Sequence, residues 1–293
     1  MEEVLDKKEA LFMLSESHYL DKAFELFKIS YREEEWDKAD GIADYIYETS
    51  NKLYQQHIFR TAAHQAVDTP PRRPLVFYYA YSYLAKALVY QKKGLYERAK
   101  EYIAKYSDMS WFRGLDEEGL EEVEKFHFWA KANIFAVDLI SGNHRILSDY
   151  VQFLIDNPEE ILPGMVTIME AANQNDWNVD YILHQFSQDI ESFATLEENN
   201  NQLYYFTLMF HLAIYYLKHN KYTVALNYIL DSLQTSSSIK RDSEFKALAA
   251  LFETFRGYAS DEQQKEYQTI LKGVLTGENG KGFNLSRYGV RFS

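Results

Sequence analysis

Cysteine is absent from this chain. That excludes disulfides and thiolate metal ligands and fits a reducing cytoplasm. Proline is scarce, with 5 among 293 residues, and glycine numbers only 12. So few breakers favour long helices over turn-rich β-structure. Catalytic and metal signatures are missing too. There is no HExxH, no carboxylate-rich calcium loop, no zinc spacing, no GxSxG elbow and no dinucleotide fingerprint. His57 and His64 stand two helical turns apart, too far to chelate one ion as an i, i+4 pair does. The string 277–282 (G-E-N-G-K-G) lacks the spacing, the Ser/Thr and the preceding strand of a phosphate loop. No enzyme, metal or cofactor is therefore expected.

Positive charge is in deficit as well, with 31 basic against 44 acidic side chains and a net charge of −13. Such a chain repels phosphate backbones, so direct binding of nucleic acid is not expected. Long apolar runs are lacking. The most apolar one, 75–90, carries Lys86 and is too short to span a bilayer. The start M-E-E-V-L-D is too acidic for a signal peptide. A cytoplasmic protein with no membrane partner is the expectation.

Aromatic residues are abundant: 24 tyrosines and 19 phenylalanines. Their arrangement is clearest at 83–103, Y-L-A-K-A-L-V-Y-Q-K-K-G-L-Y-E-R-A-K-E-Y-I. Ala87 is small where two helices approach, Tyr90 lies near a helix end, and Gly94 supplies a left-handed cap. Tyr96, Ala99 and Ile103 then open a second helix on one stripe. Small, Tyr, Gly, Tyr, Ala at this spacing is the tetratricopeptide (TPR) signature. It recurs 126 residues later as Ala213, Tyr216, Asn220, Tyr222, Ala225 and Ile229. Asn is the usual substitute for Gly as a left-handed cap. Weaker copies stand at Trp36 with Ala39, at Gly142 with His144, at Asn175 with Trp177, and at Arg256-Gly257-Tyr258.

The fold class implied is all-α, a TPR-like superhelix of antiparallel helix pairs (an α-solenoid), with about twelve to fourteen helices. Residues 1–66 read as an N-terminal helical section with a break near 15–17, an acidic turn at 33–35, and a helix from Trp36 to about Gln65. The segment D-T-P-P-R-R-P at 68–74 excludes a helix interior and marks a loop. A repeat array covers 75–275, with pairs opening near Leu75, Glu117, Pro158, Gln202 and Ile239. The steps, roughly 37 to 45 residues, exceed the 34 of a simple TPR. Asp116, Asn157 and Ser260 read as N-caps, and 196–202 as an exposed connection. The acidic run 117–124 reads as a solvated helix face. A Gly-rich tail, 277–293, is either mobile or docks its apolar residues Phe283, Leu285, Tyr288, Val290 and Phe292.

Function is then sought in a groove lined by the first helix of each pair. A groove for an extended peptide needs side chains that re-pair its backbone amides, and Asn offers both a donor and an acceptor. Asn133 in A-K-A-N-I-F and Asn173 in E-A-A-N-Q sit inside first helices, where Asn is a poor helix former. Tyr79, Tyr83, Lys86, Lys131, His211 and Tyr215 are further candidates. For each of these residues, core packing, an inter-helix hydrogen bond or a solvent-facing role is the competing reading.

Three strings carry a family likeness: 96–108 (Y-E-R-A-K-E-Y-I-A-K-Y-S-D), 111–116 (W-F-R-G-L-D) and 157–164 (N-P-E-E-I-L-P-G). They resemble the C-terminal TPR-like half of helix-turn-helix transcriptional regulators from Bacillus and related Firmicutes, over roughly residues 75–275. More distantly the chain is similar to the quorum-sensing regulators of the Rap, NprR, PlcR and Rgg type. The resemblance implies a module that binds a signalling peptide in its concave groove, often through asparagines, forms a homodimer and controls transcription. It implies that role for Asn133 and Asn173. One departure stands out: 1–66 lacks the short tri-helical DNA-binding pattern such regulators carry. Two alternatives remain open: an adaptor that sequesters a protein partner, and a Rap-like response-regulator phosphatase or inhibitor.

Overall fold

The computed structural model describes residues 16–62, 71–195, 199–238 and 242–276. The segment 1–15, residues 63–70 with the expected helix end near Gln65 and the first three positions of the proline-rich loop, residues 196–198 of the expected connection, residues 239–241 and the 277–293 tail lie outside them. The described residues form thirteen α-helices and no strand. Contacts divide the chain into two compact units, Met1–Ser141 and Gly142–Ser293.

The first unit holds α1 (Glu16–Arg32), α2 (Trp36–Ala62), α3 (Leu75–Lys92), α4 (Tyr96–Tyr106) and α5 (Glu117–Ile140). Each helix packs on the next, and α3 also touches α1 and α5. Helix α3 is apolar almost all round, so it is buried on nearly every side. Its rings Phe77 and Tyr78 join Leu20, Phe27, Ile46, Tyr106 and Phe126 in one core.

The corners explain why the pairs form. At the α3/α4 corner Gly94 has φ 71°, the Leu95 amide donates to the Tyr90 carbonyl at 2.8 Å, and the Gly94 amide donates to Gln91 at 3.0 Å. These two bonds satisfy carbonyls that the helix end would otherwise leave open. The α1/α2 corner repeats the pattern on Glu34 (φ 58°), with Glu35 donating to Ser30. The alanine five residues beyond each of the left-handed positions Glu34, Gly94 and Asn220 is completely buried: Ala39, Ala99 and Ala225.

The second unit holds α6 (Leu147–Asp156), α7 (Ile161–Asn175), the short α8 (Asp180–Gln185) and α9 (Ser187–Ser192), then α10 (Asn199–Lys218), α11 (Tyr222–Ser238), α12 (Asp242–Phe255) and α13 (Asp261–Thr276). Helix α7 packs on α10, α10 on α11, and α11 on both α12 and α13. Left-handed corners occur at Gly142, Asp176 and Asn220. The Arg256–Tyr258 turn ends the first helix of the last pair.

Three expected readings need correcting, two at element boundaries and one on a helix face. Asn157 stands at the N-cap position of the Pro158–Glu160 3₁₀ turn, with Pro158 first as read, but its side chain makes no cap bond there. Its side-chain amide donates back to the Phe153 carbonyl at 2.7 Å and closes α6, while Pro158 starts a 3₁₀ turn before α7. Residues 199–201 are not a connection but the first turn of α10. Glu122 is not on a solvated face; it is 5% exposed. Two caps stand as read. Asp116 accepts from the Gly119 amide at 2.8 Å, and Ser260 forms a reciprocal box with Gln263 at 3.2 and 3.0 Å.

Candidate functional site

In the first unit, Tyr79, Tyr83, Lys86 and Tyr90 fall at i, i+4, i+7 and i+11 of α3, one stripe of the helix. Helices α2 and α4 both pack along α3 but have no comparable packing on each other. The stripe therefore forms the floor between them. Partners run in opposite order along α2 and α3. Lys93 pairs with Asp37 at 2.7 Å, Lys86 with Asp40 at 2.8 Å and Asp44 at 2.6 Å, and Tyr79 faces Tyr54. The α2 wall presents Asp37, Asp40, Asp44 and Tyr47. The α4 wall presents Arg98, Tyr102 and Lys105, whose ammonium sits 3.9 Å over the Tyr102 ring. At the far end Trp111, half exposed, packs edge-on against Tyr54 and Tyr79.

The Lys86 side chain is 7% exposed; burial pulls its pKa down, but the hydrogen bonds and charges of Asp40 and Asp44 outweigh it and hold the pKa above the ordinary value. Tyr79 is buried, and its phenol is pushed up to about 12, first by burial and then by its neighbour Tyr47. Tyr83 is only half-buried and touches Tyr47, Tyr79 and Tyr102.

Lys131 and Asn133 lie on α5. Lys131 is exposed, and the Asn133 amide donates to the hydroxyl of the buried Tyr106 at 2.9 Å, joining α5 to α4. In the second unit Asn173 joins α7 to α10: its Nδ2 donates to the His211 carbonyl at 2.9 Å. The amide must face that way, since an oxygen there would oppose another oxygen. Its own Oδ1 is thereby turned aside, buried and without a hydrogen-bond partner. Lys218 closes the position by donating to the Asn173 main-chain oxygen at 2.6 Å and pairing with Asp176. Tyr215 is 1% exposed. It accepts from the Val179 amide at 3.1 Å, donates to Asp180 at 2.9 Å, and fixes the start of α8.

The structure thus gathers Tyr79, Tyr83 and Lys86 on one floor and brings Asn173 against His211. Asn133 belongs to the first unit and Asn173 to the second. The walls were not anticipated, although their spacing was legible: Asp37, Asp40, Asp44 and Tyr47 follow one helical stripe, as do Arg98, Tyr102 and Lys105. Among the described residues no group of three or more His, Asp or Glu could hold a metal ion, and no helix is long and apolar enough to cross a membrane. Comparison with protein-family models, with curated proteins and with solved structures finds no match to this chain.

Proposed function

We propose that this chain is a non-enzymatic regulatory module of stacked helix pairs, TPR-like in construction, that takes up an extended peptide or protein segment and controls transcription. The observation that carries the binding reading is Asn173. Its donor is fixed by a backbone carbonyl, and its acceptor is buried and unpaired between two first helices, α7 and α10. An unpaired buried acceptor costs about 1–3 kcal/mol, and the amide of an incoming peptide supplies the missing N–H. The transcriptional output and a homodimeric state rest on the resemblance of the 96–108, 111–116 and 157–164 strings alone.

The test is to isolate the chain from its native cells and identify co-purified peptides by mass spectrometry. Those peptides are then titrated against wild type and Asn173→Ala. The variant loses the bond to the His211 carbonyl and so melts somewhat earlier. Loss of affinity on the order of tenfold in the still-folded variant supports the reading, and unchanged affinity removes Asn173 from the binding site.

The second reading, an adaptor for a folded protein partner, is favoured by the half-exposed tyrosine floor between α2 and α4. Tyr83, Tyr90, Tyr102 and Trp111 present amphipathic rings there of the kind enriched at protein interfaces.

A further inference from the structure

The opposite face of the first unit, where the first helices α1, α3 and α5 meet, carries an incomplete ion pair. Glu122 on α5 is an acid the fold has buried: its side chain is 7% exposed. One oxygen, Oε1, accepts from Lys125 at 3.0 Å and lies 3.8 Å from the Arg73 guanidinium, beyond hydrogen-bond reach. The other, Oε2, is buried with no partner. A buried carboxylate oxygen left open is costly, more so than a neutral one.

Arg73 is the side chain that spans this face. It comes from the loop before α3, and its guanidinium lies 4.4 Å over the Phe77 ring of α3 and 5.6 Å from the Phe24 ring of α1. Those two rings meet edge to face at 5.4 Å. Two aromatic faces and a buried carboxylate make a receptor for a planar cation. Yet Arg73 fills it poorly, since 46% of its side chain stays exposed and it bonds neither oxygen. Its loop is tethered nearby. Arg72 lies 3.9 Å from Asp21 of α1, and Asp21 also accepts from the Tyr78 hydroxyl. The tether holds the guanidinium in the mouth of the receptor.

We propose that Phe24, Phe77 and Glu122 form a guanidinium-binding site for an arginine-bearing segment, with Arg73 as an intramolecular stand-in that the incoming arginine displaces. This deepens the segment-binding reading and rests on it. An untethered guanidinium can set its two parallel N–H groups on both carboxylate oxygens, which Arg73 does not do. An ammonium lacks the fork, and a neutral urea lacks the charge. The chain's net charge of −13 draws basic segments toward it and sets the sign of the partner.

The probe is the capped pentapeptide Ala-Ala-Arg-Ala-Ala, with lysine and citrulline versions, titrated into the full chain. Removing the stand-in frees the site, so Arg73→Ala binds the arginine probe more tightly than wild type, on the order of tenfold. The same variant favours arginine over lysine and citrulline, and Glu122→Gln in that background abolishes the preference. Arg73 is half exposed, so its variant melts close to wild type; a melting curve for each protein checks this. Equal binding of the probe by wild type and Arg73→Ala, no binding by either, or no discrimination among the three probes overturns the proposal. A natural peptide whose affinity ignores both substitutions also overturns it, while leaving the Asn173 reading standing.

Discussion

Gly94 and Asn220, 126 residues apart, hold the same left-handed backbone at φ 71° and 59° and terminate α3 and α10 with the same pair of hydrogen bonds. Glu34 does the same for α1 at φ 58°. Three residue types thus share one conformation that only glycine adopts without steric cost.

The strain predicts an order of effects. Gly94→Ala costs about 1–2 kcal/mol although no atom lies within 4 Å of the new Cβ, because the penalty is in the backbone. Glu34→Gly has the opposite sign and gains up to about 1 kcal/mol. Asn220→Gly is close to neutral, since Asn tolerates the region and its Oδ1 accepts from the Tyr222 hydroxyl at 2.7 Å. Urea melts of the three variants check the ranking. Destabilisation by Glu34→Gly would show that the corner is held by its side chain instead.

Lys86 separates charge from packing. Its side chain is buried, but Asp40 is 26% and Asp44 56% exposed, so both acids can regain water when the lysine is lost. Removing one partner of a buried pair usually costs 3–5 kcal/mol; Lys86→Ala should fall near the low end, about 3 kcal/mol, through lost packing and one under-solvated acid. Lys86→Met keeps the stem and should cost about 1 kcal/mol or less. Equal losses in thermal melts of the two variants would place the energy in the charge.

Much of the helical order was legible because it rests on local chemistry. Leu75 and Glu117 open helices where read, and the Ala99 and Ala225 positions are buried as their spacing demands. What escaped reading was set by tertiary contact. Nothing local in the run E-E-G-L-E-E-V-E distinguishes Glu122 from its solvated neighbours; only the packing of α5 buries it. Asn157 precedes Pro158 and so looks like a cap, yet its amide turns back to Phe153. At the candidate site, the floor residues of α3 were readable one by one. Their gathering between α2 and α4 depends on which helices flank α3, and no spacing encodes that.

Two acids predict opposite responses to pH. The Asp180 carboxyl is held below its ordinary value, chiefly by the Lys221 ammonium at 3.0 Å and then by the Tyr215 hydroxyl. Its stabilisation is present above the unfolded pKa, about 3.9, and is lost as pH falls through the folded value. Asp231 is raised, first by burial and then by the charge of Glu266, so ionising it opposes folding and protonation relieves the cost. Asp180→Asn should therefore lower the melting temperature at pH 7, by an effect of about 1 kcal/mol or less given its exposure. Asp231→Asn should raise it. Melts from pH 7 to pH 3 should show both differences shrinking at the acid end. A stabilising Asp180→Asn would contradict the assignment.

The last prediction sets two glycines of the same chemistry against each other. Gly41 lies inside α2 with no atom within 4 Å of an added Cβ. Gly164 lies inside α7, where an added Cβ would press on the side chain of Leu154 from α6, which is completely buried. Alanine is the better helix former at both, by about 1 kcal/mol. At Gly41 nothing opposes that gain, so Gly41→Ala should stabilise by about 1 kcal/mol. At Gly164 the completely buried Leu154 side chain must shift to admit the new Cβ, and overpacking costs about 1–3 kcal/mol. The net effect of Gly164→Ala is then a loss of up to about 2 kcal/mol, because the gain in propensity is smaller than the clash. Leu154→Ala in the Gly164→Ala background removes the clash and should lose less than the sum of the single variants. Strict additivity in that cycle would mean that α6 and α7 do not meet through these two residues.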